Sequence, residues 1–342
     1  MKTMDSPDLQ AALRTGSFAD VPRAALTRDT LLAANPAGNT LLHAIARAGF
    51  LPELPPEILT AENLTVKNDA GYTPLHHAAL GGHLDQIPVA LLTARLLLTR
   101  SKVGYTVLHV AAAHGCLAQI PADILTPEIA RLKTDLGNTL LHEAAESGAI
   151  AKFPSRLITD ELLADKNLSG ETVFHVAALN GHLGQFPPDM LTAARLLDQT
   201  VAGDTVLHAA ALGGHIEQIP SGFLTRENLT LVSKSSYTVI HAAAETGQLY
   251  KIPRDRLTTA LLLTRNDHGD TPLHAAAYEG HLDQIPPHVL TAENLNVRNY
   301  DGITPLRTAI ERGFIEQIPE PIRPQPPSPL KKFFRRLGNT RL

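Results

Sequence analysis

The chain has 342 residues, 44% of them apolar and 19% charged, with 23 Gly, 25 Pro, one Cys and no Trp. That is enough apolar material for a packed core, and a single thiol, Cys116, excludes a fold stapled by disulfides. A formal charge of −4 argues against a nucleic-acid binder, nine Phe and six Tyr leave few rings for base stacking or an aromatic cofactor pocket, and no apolar run approaches the roughly 18 residues of a membrane span.

The opening MKTMDSPDLQ lacks the apolar centre of a secretory signal, and with the lone Cys this predicts a reducing, cytoplasmic setting. From there one period governs the chain. Thr recurs at 40, 73, 106, 139, 172, 205, 238, 271 and 304, always 33 residues apart and without insertion. His follows three residues later in eight copies, from His43 to His274, with Arg307 in the last. Gly comes nine residues after Thr, from Gly49 to Gly313, and Gly16 extends that series by one copy. Pro stands six further on, from Pro22 through Pro55 and Pro88 to Pro319, and a Leu-Thr or Ile-Thr pair follows, from Leu26-Thr27 to Leu290-Thr291. Ten copies, partial at each end, cover about residues 5 to 319, and self-similarity at such a period is the signature of a solenoid.

Within one unit, Thr-x-Leu-His-x-Ala-Ala predicts a short inner helix whose Ala residues permit close packing, stopped by the left-handed Gly. Pro74, Pro272 and Pro305 suit its first turn, where a missing N–H costs nothing. The Pro at 88 and its equivalents cannot sit in a helix interior, at about 3 kcal/mol each, so the outer segment is expected to be broken. It reads as one turn opening at Pro and a second capped by Thr, as in Thr126-Pro127-Glu128, followed by a loop with Gly near its tip. The ends read as caps: Pro7, Leu9 and Gln10 stand in the Thr, Leu and His places of the first copy, and Arg307, Glu311 and Arg312 put charge on the last. Two lapses stand out. Ala130 replaces the outer-turn Leu, and Ser236 replaces the loop Gly, which predicts local strain and a soft joint near Ser233 to Ser236.

The segments 71–84 (GYTPLHHAALGGHL) and 269–282 (GDTPLHAAAYEGHL) resemble the ankyrin repeat in both motif and period. The resemblance implies an all-α, ankyrin-like helical-repeat solenoid over residues 1–319, with inner helices and loop tips lining a concave face. It also implies that each Thr-His pair makes structural hydrogen bonds tying one unit's loop to the next. The second half of the unit departs from the family: Gln-Ile-Pro-x-x-x-Leu-Thr, as in 86–93, stands where a continuous outer helix is usual.

Chemistry-bearing groups are few. The eight periodic His would fall roughly 10 Å apart in a stack, too far to share an ion, so no metal is expected. His83, His182, His215 and His281, beside the helix-stop Gly, read as helix-end packing or caps. His142-Glu143-Ala-Ala-Glu146 lacks the second His of a metalloprotease helix, and no nucleophile elbow, phosphate loop, dinucleotide fingerprint or Cys pair occurs. Cys116 has no activating neighbour in the sequence and reads as inert packing. No catalytic residue, metal or cofactor is therefore nominated.

What remains is the set of positions free to vary between copies, since only those can encode a partner. On the concave positions implied by the resemblance, the candidates are Tyr72, His77, Tyr105, His114, Glu143, Glu146, Glu171, Asp204, Tyr237, Glu245, Asp270, Tyr278 and Glu279. They form an aromatic and His patch near Tyr72 and His114, then an acidic run from Glu143 to Glu279. Exposed Tyr gives contact area at low entropic cost and an acidic groove steers basic partners, so the expected function is a monomeric scaffold for protein–protein interaction. Alternatives are a bacterial effector delivered into a host cell, a use to which ankyrin repeats are often put, and an enzyme with its site in the groove. Residues 320–342 are different material: Pro-rich, with net charge +5 against −9 for the rest. Their composition predicts a disordered end, and Lys331, Lys332, Arg335 and Arg336 offer contact with an anionic membrane, a protein, or the acidic face itself.

Overall fold

The computed structural model describes residues 26–323. The first partial copy (Pro7, Leu9, Gln10, Gly16 and Pro22) and the segment from Pro324 on, with Lys331, Lys332, Arg335 and Arg336, lie outside the described residues. The chain divides into two compact units, residues 1–218 and 219–342. Among the described residues the regular elements are all helical; the extended pairing is limited to isolated bridges such as Arg100 with Thr106.

In the first unit the inner helices are Leu41–Ala48, Pro74–Gly81, Val107–Ala113, Leu140–Ser147, Val173–Leu179 and Val206–Gly213. Each packs on the next. In the second unit Val239–Glu245, Pro272–Glu279 and Pro305–Arg312 stack in the same way. The sequence reason is the one expected. Leu75, Leu108, Leu141 and Phe174 are buried two residues after their Thr, and the paired Ala at 78/79, 111/112 and 144/145 are buried against the neighbouring helices, where larger side chains would force the backbones apart. The full-length inner helices end at a left-handed Gly, with φ of 79° at Gly49, 76° at Gly82 and 87° at Gly313.

The outer segment differs in detail from the sequence reading. It contains three short turns rather than two. In the copy after Pro74–Gly81, a 3-10 turn, Leu84–Gln86, comes before the Pro; Pro88 then stands extended (φ −51°, ψ 128°) ahead of a second 3-10 turn, Val89–Leu91; and Thr93 caps the α turn Ala94–Leu97. Pro therefore precedes its turn, where its fixed φ fits and no N–H is required. Thr126 behaves as expected: its Oγ1 accepts from the Ile129 N–H at 3.3 Å, and its hydrogen bond lowers the Glu128 carboxyl pKa.

Loop tips take positive φ at Gly, for example 81° at Gly71 and 74° at Gly269. Ser236 is held at φ 55°, the one non-Gly residue in this region among those described, so the expected strain is present. Ala130 is fully buried in place of Leu.

Candidate functional site

The periodic His rings are tied up in structure. The Thr73 N–H donates to His76 Nδ1 at 3.1 Å and the Thr73 hydroxyl lies 2.8 Å from the same nitrogen. Nδ1 is thus an acceptor, which leaves the proton on Nε2, and Nε2 donates to the Tyr105 carbonyl of the next repeat at 3.3 Å. The same pair of links joins Thr40, His43 and Tyr72 O, and Thr139, His142 and Glu171 O. In the second unit it joins Thr238, His241 and Asp270 O. Burial pushes the pKa of His76, His109, His142 and His241 down to about 4, partly opposed by the backbone carbonyl each ring bonds, Leu132 O in the case of His109.

The second His set packs on the helix end of the preceding repeat. His83 lays its ring over Gly49 of the preceding repeat, so that a Cβ there would meet it at 2.8 Å; His182 covers Gly148, His215 covers Gly181 and His281 covers Gly247. Cys116 is buried, its Sγ donates to Ala79 O at 3.4 Å, and burial raises the thiol to about 11.

Two series escaped the sequence reading. The Gln of Gln-Ile-Pro is a stitch between repeats: Gln119 Nε2 donates to Gly82 O at 2.7 Å while its Oε1 accepts from the Leu84 N–H at 2.9 Å. Gln185 and Gln317 bond in the same manner to Gly148 and Gly280. The departure from a continuous outer helix thus supplies cross-repeat hydrogen bonds. Five residues before each Thr stands Asn, Ser or Thr, whose side chain closes the loop, as Asn68 Oδ1 does by accepting from the Ala70 and Tyr72 N–H groups. That strict column of small polar residues was the available signal.

In the first unit, Tyr72 and His77 are half-buried, with the Tyr72 ring edge-on to His76 at 5.2 Å and His77 edge-on to His43 at 5.0 Å. Burial, then the charges of His43 and Arg47, lower His77 to about 4, and its buried Nδ1 has no hydrogen-bond partner. His114 is exposed, and Arg47 helps to lower its pKa as well, so this patch carries a cation. Glu143 corrects the sequence expectation of an exposed acidic contact: it is only 3% exposed. Its Oε1 accepts from Asn138 Nδ2 at 3.1 Å, the Tyr105 hydroxyl donates to it, and burial raises the carboxyl to about 7. Burial, and then the same carboxylate, raise the Tyr105 phenol. Asn167 extends this chain, donating to Asn138 Oδ1 at 3.0 Å and to Glu171 Oε2 at 2.7 Å. Tyr105, Glu143 and Glu171 are therefore joined in one polar network, while Glu146 stays exposed beside it. Asp204 is half-buried at its own loop tip, where its N–H donates to Thr200 Oγ1 at 3.1 Å.

The second unit gathers all five of its predicted residues. Tyr237, Glu245, Asp270, Tyr278 and Glu279 line a groove of about 400 Å³ together with Asp301, Asn299 and Ile303. The Tyr237 hydroxyl donates to Glu245, and Asn299 Nδ2 donates to Asp270 Oδ1 at 2.7 Å. Tyr278 is 52% exposed, with the Arg312 guanidinium 4.0 Å from its ring centroid. Glu245, Asp270, Glu279 and Asp301 give the groove four carboxylates, none in an ion pair among the described residues. Asp301 was missed by the sequence reading, although its column, three before Thr, varies freely between copies.

This is the arrangement of a helical-repeat protein. The family model of the ankyrin repeat matches residues 268–299, the stretch that contributes Asp270, Tyr278 and Glu279 to the groove, and it supports the resemblance read from the repeat motif. No curated protein matches the chain. Ankyrin repeats are typically non-enzymatic modules for protein–protein interaction. No helix among the described residues is long and apolar enough to cross a membrane.

Proposed function

We propose that the chain is a non-enzymatic protein-interaction scaffold that takes a basic segment of a partner protein into the groove of its second unit. The observation that carries this reading is the coincidence of four carboxylates without a countercharge and two tyrosines, Tyr237 and Tyr278, around one groove. A Lys or Arg side chain would meet both needs, its charge drawn by the carboxylates and its stem or guanidinium resting on the rings. Arg312 on Tyr278 is an intramolecular example of the same contact. In the first unit, Glu143 would shape the surface through Tyr105 and Asn138, leaving Glu146 and His114 as the exposed contacts.

The test is titration of basic, neutral and acidic peptides of equal length into the full chain and into its Glu279→Lys/Asp301→Lys variant, at low and moderate salt. Basic peptides are expected to bind best, to weaken with salt, and to lose at least about tenfold in affinity to the variant. Equal binding of all three peptides, or affinity unchanged in the variant, would remove the groove from consideration.

A further inference from the structure

We infer that the groove of the second unit is a docking site for the chain's own basic segment 331–336 (KKFFRR), which a partner's basic segment must displace. This rests on the reading of the groove as a receptor for basic chain. Residues 324–342 carry five Lys or Arg and no Asp or Glu, against four groove carboxylates that no described cation pairs. The segment also carries Phe333 and Phe334, apolar groups suited to the Tyr237 and Tyr278 walls.

Reach favours an intramolecular occupant. Arg323, the last described residue, is fixed by bonds from its guanidinium to Glu316 Oε2 at 2.7 Å and Ile318 O at 3.1 Å. From Glu316 the chain runs back four residues to Arg312, which lies on the groove residue Tyr278. The eight steps from Arg323 to Lys331 extend to about 26 Å, enough chain to turn back over this end of the second unit. Tethering at this distance gives the segment a local concentration in the millimolar range, enough for a weak contact to compete with a free ligand.

The experiment uses a labelled peptide of residues 329–342 and two full-length chains, the natural one and one carrying Lys331→Gln, Lys332→Gln, Arg335→Gln and Arg336→Gln. The peptide is expected to bind the neutralised chain at least tenfold more tightly than the natural chain, whose groove is already filled. Adding Glu279→Lys and Asp301→Lys to the neutralised chain is expected to abolish binding, with helical content and melting checked for each protein. Equal affinity for the natural and neutralised chains overturns the inference. An unrelated basic peptide separates the two readings: if it binds the neutralised chain and the 329–342 peptide does not, self-docking fails while the groove stays a basic-segment receptor. If neither binds, both readings fall together.

Discussion

Acidification should loosen the first unit well before its carboxylates titrate as a class, because its repeat-to-repeat links depend on neutral His. Protonating His76, His109 or His142 places a proton on Nδ1, where the Thr N–H now donates, and burial already opposes the charge. Each ring is held at about 4 when folded, against 6.5 when unfolded. A depressed pKa on a base means that the unfolded chain takes up the proton first. The stabilising contribution is therefore intact above pH 6.5 and is lost as pH falls toward 4. Between pH 7.5 and 5 this costs about 2 kcal/mol per ring, or about 6 kcal/mol for the three. Glu143 opposes it. Its carboxyl is raised from 4.5 to about 7, so folding is favoured below 4.5 and the gain is lost as pH rises through 7. Over the same interval its protonation restores about 2 kcal/mol, leaving a net loss of about 4 kcal/mol from these four groups. Urea melts at pH 7.5, 6 and 5, with hydrogen exchange resolved to the 74–147 repeats, measure it. Stability that is flat or rises between pH 7.5 and 5 would refute the argument, as would protonation near 6.5 of the assigned His76, His109 or His142 imidazoles in the folded chain.

Gln119→Ala should cost about 2 kcal/mol, because the Gly82 carbonyl and the Leu84 N–H both lose their partner, and chemical denaturation will read it. Gly49→Ala should destabilise by about 1–3 kcal/mol through its φ of 79° and the clash with the His83 ring. Adding His83→Ala should recover only the steric part, which a double-mutant cycle of melting curves can separate. Ser236→Gly should raise stability by about 0.5–1 kcal/mol by relieving its left-handed backbone, while Ser236→Val should lower it; opposite signs in thermal melts would contradict the strain reading.

The repeat, the inner helix, its Thr start and its Gly stop were legible in the sequence because they are encoded within a few residues. A cap needs its hydroxyl three residues from the N–H it bonds, and a left-handed stop needs the missing Cβ at that position. Pro at 88 announced a broken outer segment for the same local reason, and Ser236 announced strain. The Thr-His links, such as His76 to Tyr105, were implied by the family resemblance, but the other bonds that hold repeats together were not legible, since they join residues far apart in the chain, as Gln119 joins Gly82 and His83 covers Gly49. The candidate face was named from its varying positions, but depth within the stack sorted it. Tertiary packing buried Glu143 behind Asn138 and Tyr105, and it left Glu279 and Tyr278 on the surface around a groove that Asp301 completes. Sequence determines which side chains vary; whether a varying carboxylate meets water or a neighbour's amide depends on the adjacent repeat, and only the folded stack brings that neighbour into place.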